Sequence, residues 1–475
     1  MYDVAIIGAG ASGACIARKL SQYELKVALL EKEEDVSFGV SKANSGIIHG
    51  GFHSSCTKYL KARLELQGNL MFDQLHKELD FPFKRCGILV VAFSEEQLST
   101  LETLHYQGVQ NGAIGIEMCS RERVLDLEPK VNPDVLGGLH VPGGGTVEPY
   151  RFVFAVVESA VKNGVELLLN FKVTSAERNS DSYTIVSADG REIEAKYVIN
   201  AAGLFADKVS EIFNAERYQI HPRKGEEYIL DRSSAAYTNK VIFPVPSPNS
   251  KGTLVIPTPE GTIMVGPTAL EIEDKEDLST SNDNLQKIFD FAKQIIPQIS
   301  QRDIISSFAG LRPTMQNEDF FIDSSKIIPN FIHVAGIQSP GLTAAPAIGD
   351  YVKDLLKKCG LRMEEKSHFN PYLTRVPRIH NMTPYQVAEL TEENPQYGHI
   401  ICRCEKISEA EIVEAIKRGH TTLDGVKFFT RTGMGRCQGG FCTSHIIKII
   451  MRETGMTYDE ITKHGKKSKV LFPRV

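Results

Sequence analysis

Three glycines near the N-terminus constrain the fold more than any other feature of the sequence. Gly8, Gly10 and Gly13 follow an apolar run and precede a segment of helical character. Between a strand and a helix, this spacing is typical of a turn that binds dinucleotide phosphates, because backbone N–H groups and the helix N-terminus face the anion. The sequence therefore predicts an α/β fold that opens with a Rossmann-like nucleotide-binding unit.

The flanking segments complete this unit. Val4–Ile7 predicts the first strand, Ala14–Leu20 continues the helix and Val27–Leu30 predicts the second strand. Glu31 ends that second strand, at the position where an acidic side chain binds the ribose hydroxyls of an adenosine. The glycine turn and this acid predict a dinucleotide cofactor, but they do not separate FAD from NAD.

Composition and charge narrow the class of protein. The chain has 475 residues, of which 42% are hydrophobic and 24% charged, as expected for a soluble globular protein with more than one domain. A net charge of −5 and the absence of Trp give no sign of nucleic-acid binding. The sequence shows no signal peptide and no apolar stretch long enough to span a bilayer. We therefore predict a cytoplasmic protein without a transmembrane segment; peripheral membrane contact stays open.

Changes in the predicted secondary structure and in the proline content along the chain predict its domains. Residues 1–365 are predicted to form one large domain, with cofactor-binding parts at 1–80, 150–215 and 328–360. Parts at 81–149 and 216–327 cover the substrate, the second as an antiparallel β-sheet. Residues 366–398, with several prolines and little periodicity, are interpreted as a linker to a small, mostly helical domain at 399–456. A basic tail follows at 457–475, with Lys466, Lys467 and Lys469.

Two later segments favour FAD. Tyr197–Gly203 is a strand that runs into small residues, and Phe331–Gly336 is followed by Ser339–Thr343. These segments resemble the other nucleotide motifs of flavoproteins with two dinucleotide-binding domains, in which the last helix directs its N-terminus at the flavin. The resemblance implies bound FAD, with contacts at Gly8, Gly10, Ser12, Gly13, Glu31, Lys32, Ser41, Asn44, Ser45, Val173, Ala202, Gly203, Gly336, Gly341, Leu342 and Thr343.

Two further segments narrow the resemblance. Ser41–Gly51 is similar to the flavin-covering segment of the D-amino-acid-oxidase-like superfamily, and Ser306–Pro313 is similar to its substrate-binding segment. Within that superfamily the chain resembles FAD-dependent glycerol-3-phosphate dehydrogenases and oxidases, and also L-2-hydroxyglutarate dehydrogenases. The resemblance extends over the large domain at 1–365 and implies that it is an FAD-dependent oxidoreductase domain.

The chemistry of such enzymes explains the residue types. Oxidising a secondary alcohol requires a base for the hydroxyl proton, and His is the usual choice near neutral pH. An anionic substrate also needs a cation, and Arg can hold a phosphate or carboxylate with two parallel hydrogen bonds. The resemblance implies that His49 is the base and Arg312 the anion-binding group. Ser45 and Ser339 are predicted to donate hydrogen bonds to the substrate or to the flavin, and Lys224 is a possible second anion contact.

The C-terminal region contains a group of cysteines of a different kind. Cys402 and Cys404 lie close together, as do Cys437 and Cys442, with glycines around the second pair. Two short turns can bring such thiolates to a tetrahedral zinc or to a two-iron centre. The spacing, with the segment Gly433–Gly439, resembles the bacterioferritin-associated-ferredoxin-like domain. That resemblance implies a [2Fe–2S] cluster held by all four cysteines.

The combined resemblance implies an FAD-dependent dehydrogenase for a small anionic alcohol. The first expectation is oxidation of sn-glycerol 3-phosphate to dihydroxyacetone phosphate, and the alternative is L-2-hydroxyglutarate or another 2-hydroxy acid. The cluster implies that electrons pass to a partner protein, expected to be a flavoprotein. Oxygen as the acceptor, an amine as the substrate, and a non-catalytic electron-transfer or redox-sensing role stay open.

Overall fold

The computed structural model describes residues 1–246, 252–465 and 467–471. It divides into two compact units. The larger unit comprises Met1–Lys32 and Val36–Tyr372, and the smaller comprises Glu33–Asp35 and Leu373–Val475. Among the described residues, no helix combines the length and the hydropathy needed to cross a membrane.

The larger unit is a mixed α/β structure. Its helices are α1 (Ala11–Leu20), α2 (Leu60–Glu78), α3 (Glu95–Asn111), α4 (Arg121–Leu127), α5 (Pro149–Lys162), α6 (Ala206–Ile212), α7 (Asn282–Ile295) and α8 (Gly341–Lys358). Its strands are β1 (Tyr2–Ile7), β2 (Val27–Leu30), β3 (Ile47–Ile48), β4 (Phe83–Lys84), β5 (Ile88–Ala92), β6 (Glu117–Ser120), β7 (Gly137–Val141), β8 (Gly145–Val147), β9 (Glu166–Leu168), β10 (Val173–Arg178), β11 (Tyr183–Ser187), β12 (Glu192–Asn200), β13 (His221–Leu230), β14 (Val241–Pro244), β15 (Leu254–Pro257), β16 (Ile263–Gly266), β17 (Leu270–Glu271), β18 (Ile304–Thr314), β19 (Phe321–Ser324) and β20 (Phe331–Ala335).

The first sheet contains the predicted nucleotide-binding strands. β1 lies between β2 and β12 and is parallel to both, and β9 extends the sheet beyond β2. β12 is long enough to pair with β11 along its first half and with the parallel strand β20 along its second. Val4–Ile7 of β1 and the whole of β2 are apolar and buried, as expected for a parallel sheet that is covered on both faces. This arrangement confirms the predicted Rossmann-like fold.

The second sheet joins the two parts that were predicted to cover the substrate. Its strand order is β17-β13-β16-β15-β14-β5-β7-β6, with β18 paired to β13. Strands from 81–149 and from 216–327 therefore form one continuous sheet. Its pairs are antiparallel, as predicted, except that β5 runs parallel to β14. β13 and β18 pair over almost their whole length, which makes them the longest ladder in the described part of this sheet.

The smaller unit is mostly helical. It contains α9 (Pro384–Glu393), α10 (Glu409–Lys417), α11 (Leu423–Thr430), α12 (Thr443–Thr454) and the short strands β21 (Ile400–Cys402) and β22 (Ile407–Ser408). Isoleucines from α10, α12 and β22 form its core. α10 begins with a reciprocal hydrogen-bonded cap between Ser408 and Glu411, and the sequence pattern Ser408-x-x-Glu411 is typical of such a cap.

Two segments carry more structure than the sequence suggested. The interval 366–398, interpreted as a linker, contains α9, whose start is capped by Thr383 and Gln386. In the tail 457–475, Ile461 is fully buried in the core of the smaller unit, and Thr462 pairs with Lys469. Lys467 is exposed, whereas Lys466 lies outside the described residues.

Candidate functional site

The glycine turn has the close packing that a phosphate-binding turn requires. Gly8 has φ +106°, and a Cβ there would lie 2.5 Å from the Ala201 carbonyl oxygen. A Cβ on Gly13 would lie 1.9 Å from the carbonyl oxygen of Gly8, so only glycine allows the helix to start here. The Glu31 carboxylate accepts a hydrogen bond of 2.8 Å from the N–H of Ala9. The predicted acid is therefore fixed beside the turn.

Other predicted cofactor residues approach the same turn. The Ser41 hydroxyl accepts a hydrogen bond of 2.9 Å from the N–H of Ala11, at the start of α1. A Cβ on Gly10 would lie 2.9 Å from that Ser41 oxygen. Ala202 lies next to Gly8 on the other side. Backbone N–H groups at the helix start and this glycine-lined space fit the pyrophosphate of a dinucleotide.

The remaining predicted cofactor residues lie in several elements. Lys32 stacks over the Phe205 ring at 4.4 Å, Val173 packs in the core of the first sheet, and Gly203 begins the turn after β12. Gly336 has φ +67° after β20. Asn44 accepts a hydrogen bond from the Gly46 N–H and so holds its own loop. Ser12, Gly341, Leu342 and Thr343 lie in the first turns of α1 and α8.

His49 is anchored through its backbone to α8. Its N–H donates to the Thr343 hydroxyl at 3.0 Å, and its carbonyl accepts from the Asn69 side chain at 2.6 Å. Its Nε2 lies 3.3 Å from the Ser339 hydroxyl. His53 lies nearby, with ring centroids 6.0 Å apart. The structure thus brings together the predicted base and one predicted substrate contact, next to the helix whose start is predicted to face the flavin.

The positions of Arg312 and Lys224 follow from the alternation of side chains along paired strands. Arg312 in β18 pairs with Arg223, and Lys224 is the next residue of β13. Because successive side chains of a strand point to opposite faces, Lys224 lies on the face opposite Arg312. Its ammonium group binds Asp277 at 2.7 Å. The structure therefore does not bring Lys224 together with Arg312.

The face that carries Arg312 also carries Glu227, which the sequence analysis did not single out. On β13 this face presents Gly225 and Glu227, whose partners on β18 are Gly310 and Phe308. The Ser45 hydroxyl donates to Glu227 at 2.8 Å. We call Ser45, Glu227 and Arg312 the substrate face, because Ser45 and Arg312 are predicted substrate contacts. Adjacent glutamates at 226 and 227 are visible in the sequence, but only the strand register tells which of them points toward Ser45.

Burial shifts the pKa values of the two charged side chains of the substrate face, Glu227 and Arg312. Glu227 is 3% exposed, and burial raises the pKa of its carboxyl to about 7, although the bond from Ser45 and the charge of Arg312 act in the opposite direction. Burial also lowers the pKa of the partly buried Arg312 guanidinium. Its hydrogen bonds to the protein are long, at 3.3 and 3.4 Å, and both go to the Thr268 carbonyl. The guanidinium group of Arg312 therefore keeps N–H donors that can bind an anion.

In the smaller unit the cysteines form two pairs. Cys402 lies next to Cys442, and Cys404 lies next to Cys437, so that each thiol shifts the pKa of its neighbour. In the part of the chain that the structure describes, no three His, Cys, Asp or Glu side chains surround a point as a single metal ion requires. A two-iron cluster bound by four cysteines takes two sulfurs at each iron. Two adjacent pairs of thiols fit that requirement.

Backbone groups complete this module. The neighbouring Cys442 thiol, followed by the backbone N–H groups of Gly433 and Glu405, lowers the pKa of Cys402, although burial acts in the opposite direction. A Cβ on Gly435 would lie 2.5 Å from the Cys404 Cβ, so a larger residue would block the approach of the two turns. Such N–H donors and close turns favour thiolate ligands.

Comparisons with known proteins agree with this geometry. The FAD dependent oxidoreductase family matches residues 3–355, and the BFD-like [2Fe-2S] binding domain matches residues 400–452. The chain belongs to the FAD-dependent oxidoreductase family. The first match contains the glycine turn, and the second contains the four cysteines. Together they confirm the predicted cofactors, FAD and a [2Fe–2S] cluster.

Individual relatives extend the similarity along the chain. A glycerol 3-phosphate dehydrogenase from Caloramator mitchellensis is 43% identical over 99% of this chain and 98% of its own length. An L-2-hydroxyglutarate dehydrogenase from Nematostella vectensis is 27% identical over 74% of this chain and 90% of its own. The dithionite-reduced L-alpha-glycerophosphate oxidase from Mycoplasma pneumoniae, solved with FAD bound, superposes with a TM-score of 0.75 at 32% identity. That match covers 79% of this chain and 99% of the oxidase.

Proposed function

We propose that the chain oxidises sn-glycerol 3-phosphate to dihydroxyacetone phosphate, with FAD as the first electron acceptor. The observation that carries the proposal is the full-length similarity to a glycerol 3-phosphate dehydrogenase, which extends through both the oxidoreductase domain and the cysteine module. The substrate face supports it independently, because the Arg312 guanidinium makes only two long hydrogen bonds to the described residues, and its remaining donors are suited to a phosphate.

The chain's own residues have distinct tasks in this reaction. Arg312 binds the phosphate and holds it away from the reacting carbon. His49 takes the proton of the C2 hydroxyl, and its backbone hydrogen bonds to Thr343 and Asn69 hold the backbone of the residue in place. Ser339, at 3.3 Å from the imidazole Nε2, orients the ring or the substrate hydroxyl.

The reaction balances with FAD and one base. The C2–H bond breaks with its electron pair, and FAD supplies the acceptor for that hydride. The O–H bond breaks with its proton going to His49, and the C2–O bond becomes a carbonyl. Two electrons leave the substrate in total, and they must be passed on before the next turnover.

We further propose that these electrons leave through the cysteine module to a partner protein, which we expect to be a flavoprotein. The [2Fe–2S] cluster supplies a one-electron carrier beside a two-electron flavin. Cys404 is exposed, Cys437 is half-buried and Phe441 is 81% exposed. One side of the cysteine module therefore lies at the protein surface, where a partner could approach.

An anaerobic reduction assay tests the substrate and the relay separately. The purified holoenzyme is mixed with sn-glycerol 3-phosphate, L-2-hydroxyglutarate or a mixture of amino acids, and flavin bleaching and the EPR signal of the reduced cluster are recorded. We expect sn-glycerol 3-phosphate to bleach the flavin fastest and then to produce the EPR signal. Faster bleaching by L-2-hydroxyglutarate or by an amino acid would reject the substrate, and bleaching without any EPR signal would reject the relay.

A further inference from the structure

We propose that Glu227 binds the free hydroxymethyl end of the substrate, so that the site selects a phosphorylated diol over a compound with a carboxylate at that end. The inference rests on the function proposed above and deepens it. It assigns a residue that distinguishes sn-glycerol 3-phosphate from 2-hydroxy acids, which carry a carboxylate next to the reacting carbon.

The first argument is the register of β13 and β18. Gly225 lies between Arg223 and Glu227 on one face of β13, and Gly310 is its partner on β18. The guanidinium of Arg312 lies over Gly225, where a Cβ would come within 2.6 Å of Nη2. Arg312 and Glu227 therefore lie on the same face, and the absence of a side chain on Gly225 lets the guanidinium lie over the strand next to Glu227.

The second argument is the hydrogen bonding of the Glu227 carboxyl. One oxygen, Oε1, accepts from Ser45, whereas Oε2 is buried and finds no hydrogen-bond partner among the residues that the structure describes. Leaving a buried acceptor unsatisfied is unfavourable, so such an atom is poised to bind a group brought by a ligand. A hydroxyl is suited to it, because a hydroxyl can donate to a carboxylate or accept from a protonated carboxyl.

The third argument is the difference in burial along the substrate face. Arg312 keeps partial contact with solvent, whereas Glu227 is 3% exposed. A substrate whose phosphate binds Arg312 would therefore place its charged end on the open side and its neutral end toward Glu227. A second carboxylate at the inner end would be buried against a like charge, which is unfavourable unless a proton is taken up.

The charge balance supports the same orientation. Glu227 and Arg312 attract each other, and Ser45 holds Glu227 by a bond of 2.8 Å, so the carboxyl stays on this face. Arg223, which shares the face, is already bound to Glu271 and Glu318. Of the two arginines on this face, Arg312 is the one with N–H donors available for the substrate phosphate. Glu227 can then bind the uncharged end of the substrate.

The test uses analogues that differ from the proposed substrate only at this end. The deoxy analogue (R)-propane-1,2-diol 1-phosphate lacks the hydroxyl, and L-3-phosphoglycerate carries a carboxylate in its place. Holoenzymes of the wild type, Glu227→Ala, Glu227→Gln and Glu226→Gln are compared. Glu226 is a matched control, because it is the neighbouring buried glutamate but points to the other face, where it binds Ser281 and Asn284.

The wild type should prefer sn-glycerol 3-phosphate to the deoxy analogue by about 10–100-fold in kcat/KM, since the analogue leaves a buried group unpaired. Glu227→Ala should lose most of this preference, to within about 3-fold, because no acceptor remains to be satisfied. Glu227→Gln should keep the preference but bind L-3-phosphoglycerate about 10-fold more tightly as an inhibitor, because the like charge is gone. Glu226→Gln should keep the wild-type ratio.

The outcomes separate this inference from the proposed function. If sn-glycerol 3-phosphate fails to bleach the wild-type flavin, the proposed function is wrong and the inference falls with it. If it bleaches the flavin but Glu227→Ala keeps the wild-type preference, only the inference is overturned. Should Glu227→Ala lose FAD, the Glu227→Gln arm decides, because an unchanged inhibition constant for L-3-phosphoglycerate also overturns it.

Discussion

In the larger unit, the side chains of the substrate face come from segments far apart in the chain, whereas in the smaller unit the cysteines come from two short turns. Ser45 follows the nucleotide-binding unit, while Glu227 and Arg312 meet only through the pairing of β13 with β18. Cys402 and Cys404 are separated by a single residue, and Cys437 and Cys442 by four. A local sequence motif is therefore enough to predict which cysteines come together, whereas the side chains of the substrate face can be predicted only from the register of the sheet.

This difference predicts how each region responds to substitution. A site built from local turns should fail as a whole when one ligand is lost, because the cluster needs all its sulfurs. A site built on a sheet should respond residue by residue, because the strands hold the other side chains in place. The following experiments test this contrast, beginning with the largest expected effect.

Replacing Cys437 with Ser should remove the cluster while leaving the larger unit active. We expect iron to fall from about two per chain to near zero and the substrate-driven EPR signal to disappear, because a hydroxyl is a poor replacement for a thiolate. Flavin bleaching should stay near the wild-type rate. Cys56→Ser is the control, since Cys56 is a half-buried thiol of the larger unit. Zinc in place of iron in the wild type would contradict the cluster assignment.

Replacing His49 with Ala should slow flavin reduction by about 10²–10⁴-fold, the usual effect of losing a general base. FAD should stay bound, because the anchoring contacts of His49 are made by its backbone. Stopped-flow reduction of the flavin measures the rate. His53→Ala is the informative comparison, since its ring lies 6.0 Å from that of His49 but has no assigned role. Equal losses in the two variants would show that packing, and not proton transfer, explains the effect.

Arg312→Lys and Lys224→Met should affect different properties, because the two side chains lie on opposite faces of the sheet. Arg312→Lys should raise KM for sn-glycerol 3-phosphate by about 10–100-fold, since an ammonium cannot reproduce the planar fork. Lys224→Met should leave KM unchanged and lower the free energy of unfolding by about 1 kcal/mol through loss of the ion pair with Asp277. Steady-state kinetics and thermal melts separate the two effects. A raised KM in Lys224→Met would restore Lys224 as an anion contact.

Local patterns in the sequence predicted the local parts of the structure. The glycine turn, β1, α1 and β2 follow from short-range periodicity, and the cap of α10 follows from Ser408 and Glu411. The start of α9 carries the same kind of signal, Thr383 with Pro384 and Gln386, which the interpretation as a linker overlooked.

The parts that local patterns could not predict depend on pairing between distant segments. The joining of β5 to β14 places 81–149 and 216–327 in one sheet, and no short motif encodes that contact. Similarly, Glu226 and Glu227 are indistinguishable until the register of β13 assigns them to different faces. The position of Lys224, opposite Arg312, has the same cause. Predicting the substrate face therefore requires the register of the sheet, which short sequence patterns do not contain.

The smallest expected effect comes from the cap of α10, and it tests whether the cysteine module depends on local structure. The fully buried Ser408 hydroxyl bonds to the N–H and carboxylate of Glu411, at 3.4 and 2.7 Å. Ser408→Ala should lower the free energy of unfolding of the smaller unit by about 1 kcal/mol, because a helix N–H loses its partner. The cluster absorbance should therefore be lost at a lower temperature, while FAD release is unchanged. Thr383→Ala, at the exposed cap of α9, is the matched control and should lower the cluster-loss temperature less. An equal fall in the temperatures of FAD release and cluster loss in Ser408→Ala would mean that the two regions do not unfold independently.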